Sequence, residues 1–83
     1  MTRLPTLRQL GHLVALADHG HFGRAAEACG VTQSSLSASI KELETILGTA
    51  LVDRSGRRAA LTPLGAGTVE RARRLLSVRP ETY

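Results

Sequence analysis

Residues 22–54, FGRAAEACGVTQSSLSASIKELETILGTALVDR, constrain the fold more than any other part of the chain, because one glycine divides them into two unequal helical pieces. Gly30 supplies the positive φ that a tight turn between helices demands. Before it, residues 24–29 read as a short helix with Gly23 as its N-cap. Ala25 and Ala26 are small enough there for another helix to cross closely. After it, Thr32 is a natural N-cap, and Val31 and Leu36 have the spacing of a hydrophobic staple. Leu36, Ile40, Leu43 and Leu47 then form one apolar stripe, expected to face the core, and Gly48 ends the helix. The opposite side offers Gln33, Ser34, Ser37, Ala38 and Lys41, all small or hydrogen-bonding. A short helix, a turn and a longer helix opening on small polar residues make a helix-turn-helix.

The flanking segments complete a small domain around it. Thr6 should cap a first helix carrying Leu7, Leu10, Val14 and Ala17 at helical spacing, with Leu13 and Leu16 widening the stripe and Gly20 as the stop. Beyond Gly48, two short extended pieces at 51–53 and 59–62 are joined by Arg54-Ser55-Gly56-Arg57-Arg58, which reads as a hairpin turn. A two-stranded hairpin must lean on the helices, so it is expected as a wing. Thr62-Pro63 is an N-cap followed by proline at the first helical position. A last helix should run from there to about Val78, weakened early by Gly65 and Gly67 and stopped by Pro80.

The expected fold class is therefore mainly α: a three-helix core, a two-stranded β-hairpin wing and a C-terminal helix. Eighty-three residues suit one domain with a modest core that dimerisation could supplement. The apolar residues are Leu, Ala and Val with only 2% aromatics, a composition for packed helices rather than a sandwich or barrel. The lone Cys29 excludes an internal disulfide and fits a reducing cytosol. No apolar run reaches membrane-spanning length, so a cytoplasmic protein without a membrane role is expected. His12, His19, His21 and Cys29 match no tight zinc spacing, and no nucleophile is set beside a base. Neither a metal, a cofactor nor catalysis is expected.

Charge placement narrows the function. The net charge of +4 is carried almost wholly by arginine: Arg54, Arg57 and Arg58 form one cluster, Arg71, Arg73 and Arg74 another. A basic cluster directly after a helix-turn-helix points to duplex DNA, whose phosphates supply non-specific affinity. Gln33 would contact a base, adenine being the natural partner of a bidentate amide. Ser34, Ser35 and Ser37 are candidates for base or phosphate contact, although serines at a helix start also bond their own backbone. Lys41 and Arg54 are expected as phosphate clamps, with a carboxylate of the fold as the other possible partner of Arg54. The second arginine cluster reads as a solvated helix face.

The combined pattern of Ala25-Ala26, Val31-Thr32-Gln33, Leu36-Ser37, Ile40, Leu43-Glu44, Leu47-Gly48, Leu51, Arg54, Leu61-Thr62 and Gly65 resembles the N-terminal winged helix-turn-helix domain of LysR-type transcriptional regulators, over residues 3–79. Within that family, His21-Phe22-Gly23-Arg24-Ala25-Ala26 is similar to the peroxide-responsive branch. The resemblance implies base contact by Gln33, Ser34, Ser35, Ser37 and Ala38 and insertion of Arg57 in the adjacent minor groove; Thr32 and Arg58 are expected to join Lys41 and Arg54 in contacting phosphate. It implies a reading domain at 1–62, a linker and dimerisation helix at 63–79, and a tail at 80–83. Homodimers would form through Leu64, Val69, Ala72, Leu75 and Leu76, and full-length members form dimers or tetramers with a larger effector-binding domain. That domain is absent from these 83 residues, so they are expected to be either an excised DNA-binding domain, the favoured reading, or a truncated product. Two departures stand out. Serines at 34 and 35 and alanine at 38 replace the family's common prolines and basic or glutamine side chains, and Val52 replaces a phenylalanine. Two other functions fit the composition: a non-specific architectural DNA-binding protein, or an interaction module docking through its last helix.

Overall fold

A computed structural model describes residues 3–56 and 58–77. Its elements run α1 (Leu7–His19), α2 (Phe22–Cys29), α3 (Gln33–Leu47), β1 (Val52–Asp53), β2 (Ala60–Leu61) and α4 (Pro63–Ser77). The strands pair antiparallel, Val52 opposite Leu61 and Asp53 opposite Ala60. This is the mainly α winged helix-turn-helix that the sequence implied. Helices α1, α2 and α3 pack on one another, α4 lies across α1, and the hairpin leans on the assembly through buried Val52 and half-buried Leu61.

Local chemistry sets the helix ends. Thr6 and Gln9 form a reciprocal capping box: the Gln9 amide donates to Thr6 Oγ1 at 3.1 Å, and the Thr6 amide donates to Gln9 Oε1 at 3.0 Å. Thr32 caps α3 by accepting from the Ser35 amide, and Gly20, Gly30 and Gly48 close the first three helices. Gly30 adopts the expected left-handed conformation with φ 69°, the turn on which the helix-turn-helix depends.

Several expectations shift. Helix α2 begins at Phe22, and its N-cap is His21, not Gly23; the imidazole accepts from the Arg24 amide at 3.4 Å, a role a glycine side chain cannot fill. In α1 the buried line is Gln9, His12, Leu13 and Leu16, while Leu7 is exposed at the first turn, so the core face is rotated from the expected one. Leu47 is also exposed, and Leu51 and Val52 close that end of the core instead. The strands are shorter than 51–53 and 59–62, although the Thr62 amide still donates to the Leu51 carbonyl at 3.0 Å. Thr62 caps α4 as expected, its hydroxyl accepting from the Gly65 amide. The expected end of α4 at Val78, and Pro80, lie outside the described residues.

Two buried residues of α4 correct a larger expectation. Val69 and Ala72 are 5% and 1% exposed within the domain itself. They hold α4 to the core and are not available to a second copy. Leu64, Leu75 and Leu76 do remain exposed.

Candidate nucleic-acid interface

The exposed side of α3 is built by the residues on its other side. Leu36, Ile40 and Leu43 are fully buried, and this seam sets the helix's rotation. Gln33, Ser34, Ser37, Ala38 and Lys41 are thereby turned together into one shallow, open depression. Glycine helps at its edge: a Cβ added to Gly23 would lie 3.4 Å from Gln33 Oε1, so the bare backbone of α2 leaves space for that amide.

Electrostatics sharpen this face. Helix α3 carries two acids, and both are held aside. Glu42 pairs with Arg3 and accepts from Gln9 Nε2 at 3.2 Å. Glu44 accepts from the backbone amides of Leu51 at 2.8 Å and Val52 at 3.1 Å, and pairs with Arg54 at 3.1 Å. Burial pushes the Glu44 carboxyl up, but the Leu51 amide, the Arg54 side chain and the Val52 amide together bring it below its ordinary value. Among the described residues, Lys41 is the charge of α3 left without an acidic partner. The face therefore presents amide, hydroxyl and ammonium groups with no uncompensated acid, suited to base edges and phosphates.

The remaining expected site residues are spread around it. Ser35 does not join the depression; it lines a separate groove between α1 and α3 with Arg8, His12, Ala38, Ser39 and Glu42. Thr32 is exposed, but its hydroxyl is engaged as the N-cap. Arg54, expected to clamp phosphate, is held by Glu44 and lies 5.5 Å from the centroid of the Phe22 ring. It ties the wing to α2 and α3, because a guanidinium between a carboxylate and an aromatic face is engaged on both sides. Arg58 lies beside Gly20 at the end of α1, and Arg57 lies outside the described residues. The turn before them is ordered by Asp53, which accepts from the Ser55 amide and hydroxyl at 2.9 and 2.6 Å.

Sequence reasoning missed the polar ties that set α3 against α1, namely Gln9–Glu42 and His12 Nδ1 with Ser39 Oγ at 2.8 Å. Thr6-Leu7-Arg8-Gln9 carried a readable signal in the capping-box spacing. His12–Ser39 carried none, since the pair is joined only by tertiary packing.

Residues 7–66 match the family model described as bacterial regulatory helix-turn-helix protein, lysR family. The chain belongs to the lysR family. Its reader face and wing are thus those of a LysR-family helix-turn-helix DNA-binding domain. The SDS degradation transcriptional activation protein of Pseudomonas sp. is 57% identical over 70 residues, covering 84% of this chain and 23% of that protein. The DNA-binding transcriptional dual regulator OxyR of Escherichia coli is 46% identical, covering 84% of this chain and 23% of OxyR. The hydrogen peroxide-inducible genes activator of Pectobacterium carotovorum is also among the relatives, at 47% identity against 57% for the Pseudomonas protein. The crystal structure of Vibrio fischeri DarR in complex with DNA superposes with a TM-score of 0.85 at 35% identity, over 89% of this chain and 25% of that one. This LysR-family chain spans about a quarter of the length of these proteins. Among the described residues, no helix is long and apolar enough to cross a membrane, and no group of three His, Cys, Asp or Glu side chains converges.

Proposed function

We propose that this LysR-family domain reads duplex DNA sequence-specifically as a homodimer, with α3 in the major groove. The observation that carries the reading is the depression on α3, where Gln33, Ser34, Ser37, Ala38 and Lys41 stand together while Glu42 and Glu44 are neutralised elsewhere. DarR, a structural neighbour at 35% identity, is seen bound to DNA, which supports the same use of this fold here. Gln33 makes the main base contact, the serines add hydroxyl contacts, and Lys41 and Arg58 neutralise phosphate. Arg57 probes the minor groove, where a narrow A·T stretch attracts arginine. Arg54 acts chiefly as the strut of the wing.

Leu64 and Leu75 support pairing of two copies. They are eleven positions apart, close to three whole turns, so α4 presents both on one side, while Leu76 is turned about 100° away, toward the side of Val69 and Ala72. The domain acts in the bacterial cytoplasm as the reading part of a longer regulator and performs no catalytic step. Selection of bound sequences from a random duplex pool, followed by affinity measurements on selected and random duplexes at two salt concentrations, tests the reading. A recovered two-part site, bound more tightly than random duplex at both salts, is expected. Equal affinity for both duplexes would make the protein architectural, and no binding to either would leave an interaction module.

A further inference from the structure

The groove between α1 and α3 adjoins the reader face, and the two share Ala38. At about 100° per residue, Ser35 lies roughly 60° to one side of Ala38 and Lys41 roughly 60° to the other. A helix laid in the major groove with Ala38 toward the bases therefore turns these two flanks toward the two phosphate backbones. On the Lys41 side the cation belongs to α3 itself. On the Ser35 side it comes from another helix: Arg8, exposed in the first turn of α1, has no acidic partner among the described residues.

The other groups of this groove are already committed. His12 and Ser39 are bonded to each other, and Glu42, the one acid lining the groove, is held by Arg3 and Gln9. The Ser35 amide is used by the Thr32 cap, but its hydroxyl has no partner among the described residues. The groove thus keeps one cation and one hydroxyl unused, side by side with the reader face.

The geometry points to a backbone phosphate of the duplex seated in this groove, held by the Arg8 guanidinium and the Ser35 hydroxyl. Ser35 is then a phosphate contact and not a base reader, and α1 takes part in binding through a residue outside the helix-turn-helix. The assignment rests on the DNA reading above.

Its test is the salt dependence of affinity for wild type, Arg8→Gln, Arg8→Lys and Arg74→Gln, on a selected and a random duplex. Loss of one phosphate contact lowers the slope of log affinity against log salt by about one for each bound domain, so by about two for a bound homodimer, whatever the base sequence. Arg8→Gln should show that loss on both duplexes, Arg8→Lys should restore the slope, and Arg74→Gln, on the outer side of α4, should keep it. Ser35→Ala should weaken both duplexes without changing the preferred bases. An unchanged slope in Arg8→Gln, an equal fall in Arg74→Gln, or a changed base preference in Ser35→Ala overturns the seat while leaving DNA reading intact. A wild type that binds neither duplex overturns the reading itself.

Discussion

Gly65 of α4 packs directly against the backbone of Leu51, so closely that a Cβ on it would overlap the Leu51 carbonyl oxygen and lie 2.9 Å from the carbonyl carbon. Leu51 is fully buried and is bonded through its amide to Glu44 and through its carbonyl to Thr62. Neither backbone can therefore withdraw cheaply. In an exposed helix interior, Gly→Ala would stabilise by up to about 1 kcal/mol. Here the overlap decides the sign, and Gly65→Ala should destabilise the domain by about 2 kcal/mol or more. Urea unfolding checks this; a variant as stable as wild type would remove the close approach.

Glu44 is the knot between the reader helix and the wing. Its carboxylate serves two backbone amides and Arg54, and hydrogen bonds to a charged group contribute about 1.5–3 kcal/mol where a buried donor would otherwise be left without a partner. Glu44→Ala should cost about 2 kcal/mol of stability. The carboxyl's pKa is lowered on folding, so its contribution is present above the ordinary value of 4.5 and is lost as pH falls through the lower folded value. Unfolding followed between pH 7 and 3 should show wild type and Glu44→Ala converging toward acid. Parallel curves would deny the linkage.

His12 works with the opposite charge and the same direction in pH. Burial, then the charge of Arg8, hold its imidazole below the ordinary 6.5, so the folded state resists protonation that the unfolded chain accepts. Stability should begin to fall as pH drops below 6.5 and level off once pH is below the folded value. His12→Gln should remove this part of the acid loss, measured as a smaller change in unfolding midpoint between pH 7 and 5. A variant that keeps the full wild-type change would place the titration elsewhere.

The parts of the fold legible in the sequence were those decided within one turn of chain. Thr6, Thr32 and Thr62 cap helices through their own side chains, and Gly30 takes a conformation that its position between helices requires. The rotation of α1 was not legible, because Leu7, Leu10 and Val14 make as good a stripe as Leu13 and Leu16 until α2, α3 and α4 are packed against it. Gly65 read as a weak point of α4 for the same reason: its use lies in a contact with Leu51, fourteen positions away. The reader face was legible as a helical pattern, but the separation of Ser35 from it needed α1 in place.

Gln33 should decide the base preference of the reader face. It is the one side chain there that both donates and accepts through an amide, and the serines beside it reach less far. Gln33→Ala should relax preference at one symmetric pair of positions in the selected site, at a cost of about 1–3 kcal/mol on that site and little on random duplex. Repeating the pool selection with the variant reads this directly. An unchanged selected site would take Gln33 out of base recognition.

The proposed pairing of two domains would rest on Leu64 and Leu75, since Val69 and Ala72 are buried within the domain. Each of the two leucines is more than half exposed, 62% and 56%, on a helix whose other exposed side carries Arg73 paired to Asp18 and Arg74 paired to Glu70. Replacing a leucine by glutamate places a charge where two copies would meet, and desolvating it costs several kcal/mol. Leu75→Glu should therefore give a monomer by sedimentation at concentrations where wild type is dimeric, with the unfolding midpoint of a wild-type monomer. It should bind a half-site as the wild-type domain does, and lose the added affinity of the two-part site. A Leu75→Glu protein that still sediments as a dimer would move the interface off this side of α4.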